Sequence, residues 1–95
     1  MAFHDYVQVA AGDVPTLVTA EDVTAITLQN TLSGDLKVFG TVGAVAPDPA
    51  DVGLVLVPGG VILGEALTDL FPGVAATRIY VWGFTLSGRV VVSHG

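Results

Sequence analysis

The sequence predicts an all-β fold, a small antiparallel β-sandwich or barrel of about six to eight short strands with one short helical turn. Three observations carry this. Valine, isoleucine and threonine, which suit a pleated and half-buried surface, make up nearly a third of the chain. Twelve glycines and five prolines cut them into runs of strand length. Within those runs apolar side chains recur at every second position, as in Ile26 and Leu28 or Val90 and Val92, so one face of each strand is made to be buried.

The elements follow from these breaks. Strands are expected at residues 6–10, 16–19, 24–30, 36–42, 53–57, 61–63, 78–84 and 89–93. The loop from Ala46 to Asp51 holds Pro47 and Pro49 and cannot be an interior strand. A helix is expected only at residues 65–71, where Leu67, Leu70 and Phe71 recur at helical spacing before Pro72 and Gly73 stop it. The clearest internal repeat is Thr31-Leu32-Ser33-Gly34, which returns as Thr85-Leu86-Ser87-Gly88. Apolar residues flank both copies two apart, so each reads as a hairpin with Gly34 or Gly88 in the left-handed position of a three-residue loop.

Ninety-five residues make one domain, 1–95, and a folded chain of this size buries roughly 64% of its unfolded surface. There is no cysteine to staple it. Charged residues are 13% of the chain, against about 25% in an average domain. A small monomer needs more charge than average, so much of this surface is expected to be covered by other protein, in a homo-oligomer with a trimer or pentamer foremost. The net charge of −6 rests on three basic residues, Lys37, Arg78 and Arg89, against nine acids scattered from Asp5 and Asp13 to Asp69. Nucleic acid and anionic membranes are therefore not expected partners. No apolar run reaches the ~20 residues that span a bilayer. The opening, Met1 to Tyr6, lacks the basic start and apolar core of a signal peptide, so synthesis in a cytoplasm without secretion is expected.

Candidate chemistry is sparse. His4 and His94 stand near opposite ends and would meet only if the end strands paired; they lack metal-ligand spacing. Asp48 and Asp51 invite a calcium reading, but the alternating carboxylates of such a loop are missing, and turn formation is the better account. Glu65 and Asp69, four apart on the expected helix, would share a face toward water. Ser33, Ser87 and Ser93 sit in no nucleophile motif, and Pro58-Gly59-Gly60 reads as a turn rather than a phosphate loop. No catalytic residue, metal or cofactor is expected. Tyr80, Trp82 and Phe84 form an aromatic stripe on one strand face, expected to serve the core or a subunit interface before any sugar.

The run Thr24 to Asn30 with Ser33 to Val38 resembles the first hairpin of small virion proteins from tailed bacteriophages and gene transfer agents. Val57-Pro58-Gly59-Gly60, Leu70-Phe71-Pro72-Gly73, Arg78 to Trp82 and Val90 to Gly95 continue the resemblance, and residues 1–23 fall outside it. It implies a non-enzymatic β-sandwich or barrel that decorates or cements a capsid, or forms the base of a head spike, docked on the major capsid protein or another virion protein as a homo-oligomer. The expected location is the virion. The alternatives are a tail or baseplate component and a small carbohydrate-binding module built on Tyr80 and Trp82.

Overall fold

Eight strands and one helical turn follow one another along the chain: β1 (Phe3–Val9), β2 (Thr16–Leu17), β3 (Ala25–Gln29), β4 (Leu36–Thr41), β5 (Leu54–Leu56), β6 (Val61–Ala66), α1 (Leu67–Leu70), β7 (Arg78–Trp82) and β8 (Gly88–His94). They are taken from a computed structural model that describes residues 3–12 and 14–94; of the residues named above, Met1, Asp13 and Gly95 lie outside it. Every pairing is antiparallel. The strands form two four-stranded sheets, ordered β1-β8-β3-β6 and β2-β7-β4-β5, and no barrel closes. The expected all-β sandwich is the fold observed.

Alternation decides which side chains make the core. Val9, Ile26, Leu28, Val90 and Val92 of the first sheet face Leu36, Val38, Ile79 and Val81 of the second, all buried. Leu32, Leu67, Val18 and Val23 close the ends. Each such residue contributes about 1.5–3 kcal/mol on burial, so the two alternating faces supply most of the driving force.

The two expected hairpins are not hairpins. β3 and β4 lie in different sheets, as do β7 and β8; each Thr-Leu-Ser-Gly segment is an arch from one sheet to the other. β3 pairs instead with β8, and β4 with β7, so the arches stand side by side. Their glycines answer to that neighbourhood. A Cβ on Gly34 would lie 2.6 Å from Leu86 Cδ1, and one on Gly88 would lie 2.7 Å from Leu32 Cδ2. The leucine of each copy covers the glycine of the other. Gly34 does not have a positive φ, whereas Gly88 does, at +156°, a backbone conformation that L side chains rarely adopt. The left-handed residue of the second arch is Phe84, at φ +62°. The Thr31 hydroxyl also donates to the Arg89 carbonyl, tying the first arch to β8.

The helix is shorter than expected. Ladder pairing of β6 with β3 runs through Ala25 and Ala66, so Glu65 and Ala66 belong to the strand and only Leu67–Leu70 turn. Its first N–H is satisfied by the Thr24 carbonyl at 2.9 Å, and Leu67 plugs the core. Glu65 therefore does not share a helical face with Asp69.

The reciprocal arch contact makes a testable prediction. Gly34→Val must displace Leu86, an overpacking cost of about 1–3 kcal/mol. The melting temperature should fall by at least ~4 °C. In a Leu86→Ala background the same substitution should cost less than half as much, because the obstructing side chain is gone. Equal losses in both backgrounds, read by thermal melts, would show that Gly34 is required for some other reason.

Candidate interaction surface

Strand parity places Tyr80 and Trp82 on the outer face of the second sheet, opposite the core-facing Ile79 and Val81. Tyr80 pairs with Phe39 and is only 5% exposed, so it has little to offer a partner. The loop after β4 lies over this region: the Cβ position of Gly53 is 3.1 Å from the Phe39 ring, and Lys37 Nζ donates to the Pro49 carbonyl at 2.7 Å. Trp82 is half-buried and its indole N–H donates to the Gly12 carbonyl at 2.6 Å. β7 ends at Trp82, so Phe84 does not extend the strand face as expected; it turns onto Trp82 with ring centroids 4.4 Å apart. What the stripe presents to solvent is a Trp82–Phe84 corner, beside a cleft of about 320 Å³ lined by Asp35, Gly83, Thr85 and Leu86.

A left-handed conformation is rare for a bulky aromatic and costs about 1–2 kcal/mol. Among the described residues Phe84 is the sole non-glycine that adopts it. Strain of this kind persists where surrounding structure or function holds it.

The other candidates take ordinary places. β1 and β8 do pair, which brings the two histidines to adjoining registers, Phe3 against His94 and His4 against Ser93. Adjoining positions point to opposite faces: His94 is buried inward, stacked on Phe3 at 5.2 Å, while His4 is exposed. His94 Nε2 accepts from the Ala20 N–H at 3.3 Å, and its Nδ1 is buried without a hydrogen-bond partner. Among the described residues no group of three or more His, Cys, Asp or Glu is arranged to hold a metal. Asp48 Oδ1 accepts from Ala50 N–H at 2.9 Å and Asp51 Oδ2 from Asp48 N–H at 3.0 Å, so both carboxylates form their own turn. Ser33 and Ser87 lie exposed on the arches, and Ser93 is a ladder residue opposite Thr27. Each basic residue is engaged within the chain: Lys37 as above, Arg78 with Asp22 at 2.6 Å, and Arg89 over the Tyr6 ring at 4.5 Å.

The residue that sequence reasoning passed over is Asn30. It is fully buried, and all its polar groups are used. Its Nδ2 donates to the carbonyls of Gly34 (2.9 Å) and Leu56 (2.7 Å), and its Oδ1 accepts from the Leu32 N–H (2.9 Å). Its own N–H donates to the Gly60 carbonyl at 3.0 Å, and its carbonyl accepts from Gly59 N–H at 2.8 Å. The side chain thus ties the first arch to the end of β5, and the main chain of the same residue holds the turn between β5 and β6. A signal was present: Asn30 continues the inward alternation of Ile26 and Leu28, where an amide is the wrong residue unless it is fully bonded.

What Asn30 holds in place is an apolar edge. β5 and β6 are the outermost strands of their sheets, joined by the Pro58-Gly59 turn, and no charged residue occurs from Val52 to Gly64. Val52 is 97% exposed and Leu63 72%, with Leu54, Val55, Val57 and Val61 also exposed. Exposed sheet edges in soluble proteins are usually guarded by charge, proline or a bulge. Here β6 has a register shift near Gly64, whose φ is +55°, and an exposed Glu65 beyond it, but its stretch from Val61 to Leu63 carries neither charge nor proline. No family model, curated protein or solved structure matches this chain.

Asn30→Ala should be among the most damaging single changes. It orphans one buried N–H and two part-buried carbonyls, each worth about 1–3 kcal/mol where water does not reach, so a loss of about 3 kcal/mol is expected. That corresponds to a melting temperature lower by more than about 12 °C. A loss under ~1 kcal/mol in a denaturant titration would mean that water replaces the amide without penalty.

Proposed function

We propose that this chain is a non-enzymatic structural protein of a phage-like particle, a head decoration, cement or spike-base protein docked on the major capsid protein as a homo-oligomer. The observation that carries the reading is the amount of apolar side chain left uncovered on a 95-residue chain with only 13% charged residues. A protein that spends its working life covered by neighbours can keep such a surface; one that diffuses alone aggregates through it. The resemblance carried by Thr24 to Asn30, by Val57 to Gly60 and by Arg78 to Trp82 supports the same reading. A β-sandwich with permanent contacts and an acidic exterior suits the outside of a capsid rather than its DNA-lined interior.

In this reading the Trp82–Phe84 corner is the contact to the capsid protein. An exposed phenylalanine ring backed by a half-buried tryptophan is the kind of anchor on which binding energy concentrates. Positive φ at Phe84 aims its ring at Trp82 and the adjoining cleft, at a cost the domain bears for the sake of that contact.

Two measurements test it. Mass spectrometry of purified particles from the native host should find the chain in a fixed ratio to the capsid protein; particles that lack it sink the proposal. Phe84→Gly separates docking from folding. The change relieves about 1–2 kcal/mol of left-handed cost. It forfeits about 0.5–1.5 kcal/mol of ring contact and about 0.5–1 kcal/mol of glycine entropy. Stability should stay within ~1 kcal/mol of the parent, while affinity for particles lacking the protein falls tenfold or more. Unchanged affinity would remove the corner from the docking surface.

A further inference from the structure

We infer that the β5–β6 edge is the surface through which copies of this chain assemble, the apolar side chains of one copy packing on the same residues of the next. The inference rests on the homo-oligomer part of the reading above and names the face that forms it.

Exposure comes first. Val52 and Leu63 are 97% and 72% exposed, and Leu54, Val55, Val57 and Val61 are 41–59% exposed, so two copies meeting along this edge withdraw apolar side chains of both strands from water. Charge selects the occupant. The chain carries −6, so most ways of apposing two copies bring carboxylates together. The stretch from Val52 to Gly64 is free of charge, and two copies meeting there set no carboxylate of that stretch against another. A hydrophobic surface is best buried by another of the same kind, and a second copy supplies one at matching concentration. Geometry agrees. Both strands are sheet edges, and both sides of the edge carry apolar residues: Val55 lies on the outer face of one sheet, Val61 and Leu63 on that of the other. Like residues meeting like residues make an isologous contact, which closes as a pair about a two-fold axis.

The test uses the intact chain. Light scattering coupled to size exclusion should give a multiple of 9.7 kDa for the parent. The double variant Val55→Lys with Leu63→Lys should raise the dissociation constant tenfold or more and elute as monomer, with the circular dichroism spectrum of the folded parent because both positions are exposed. A parent that stays monomeric at the highest attainable concentration, or an assembly indifferent to the two lysines, overturns the inference. The absence of native cysteine gives a second readout. Leu63→Cys should oxidise to a covalent dimer while Gln8→Cys, on the opposite edge of the first sheet, stays monomeric; the reverse pattern overturns it. Particle binding keeps the two proposals apart. A monomeric parent that still binds capsids defeats this inference and the homo-oligomer part of the proposed function, and leaves capsid docking standing. An assembly that the lysines dissolve, but which binds no particle, does the opposite.

Discussion

A buried amide with every hydrogen-bonding group used is the constraint on which this sandwich turns. Hydrophobic collapse alone would bring the two sheets together in many nearly equivalent ways, because valine packs against valine without preference for partner. Asn30 removes that freedom. Its side chain is satisfied only when the first arch and the end of β5 arrive together, its main chain adds the β5–β6 turn, and in low dielectric an unsatisfied amide is costly. Leucine at this position would bury as much surface and specify much less. The same bonds hold the apolar edge in shape, so the polar centre of the molecule and its most apolar exposed surface are parts of one arrangement.

The second organising contact is between the arches. Each repeats the other's sequence at a distance of 54 residues, and each offers a leucine to its neighbour's missing side chain. The β3–β8 and β4–β7 ladders hold the two arches next to each other, and the leucine-on-glycine contacts set how closely the sheets approach there. Gly34 is needed for the space above it, and Gly88 both for that space and for its positive φ.

Much of the architecture was legible from residue 6 onward. All eight expected strands exist, because a period of two in an apolar run is a strong statement about burial. Pairing was less legible. Ile26, Leu28, Leu36 and Val38 point inward whether their two strands pair with each other or arch across the core, so the alternation that located the strands said nothing about which sheet each joined. The helix end was misplaced by two residues because Glu65 and Ala66 suit a helix locally and are claimed by the β3 ladder. The parity of Tyr80 and Trp82 was correct, but parity does not reveal that a loop covers Tyr80, or that the chain turns left-handed at Phe84. Asn30 was hidden by its position just before a turn, where asparagine usually needs no further explanation.

The order in which the strands are laid down carries a kinetic consequence. Of the seven connections between successive strands, only β4 to β5 stays within one sheet. Almost nothing can be gained by local zipping, and a chain of such high contact order folds on the millisecond to second scale of β-sandwiches rather than faster. The effect is sharpest in the first sheet, where β8, made after every other strand, sits between β1 and β3. While the ribosome still holds β8, β1 has no ladder partner and β3 has only β6. The first sheet therefore cannot complete itself until β8 has emerged, and the valine-rich strands wait in the open, where chaperone capture and misassembly compete with completion of the sheet.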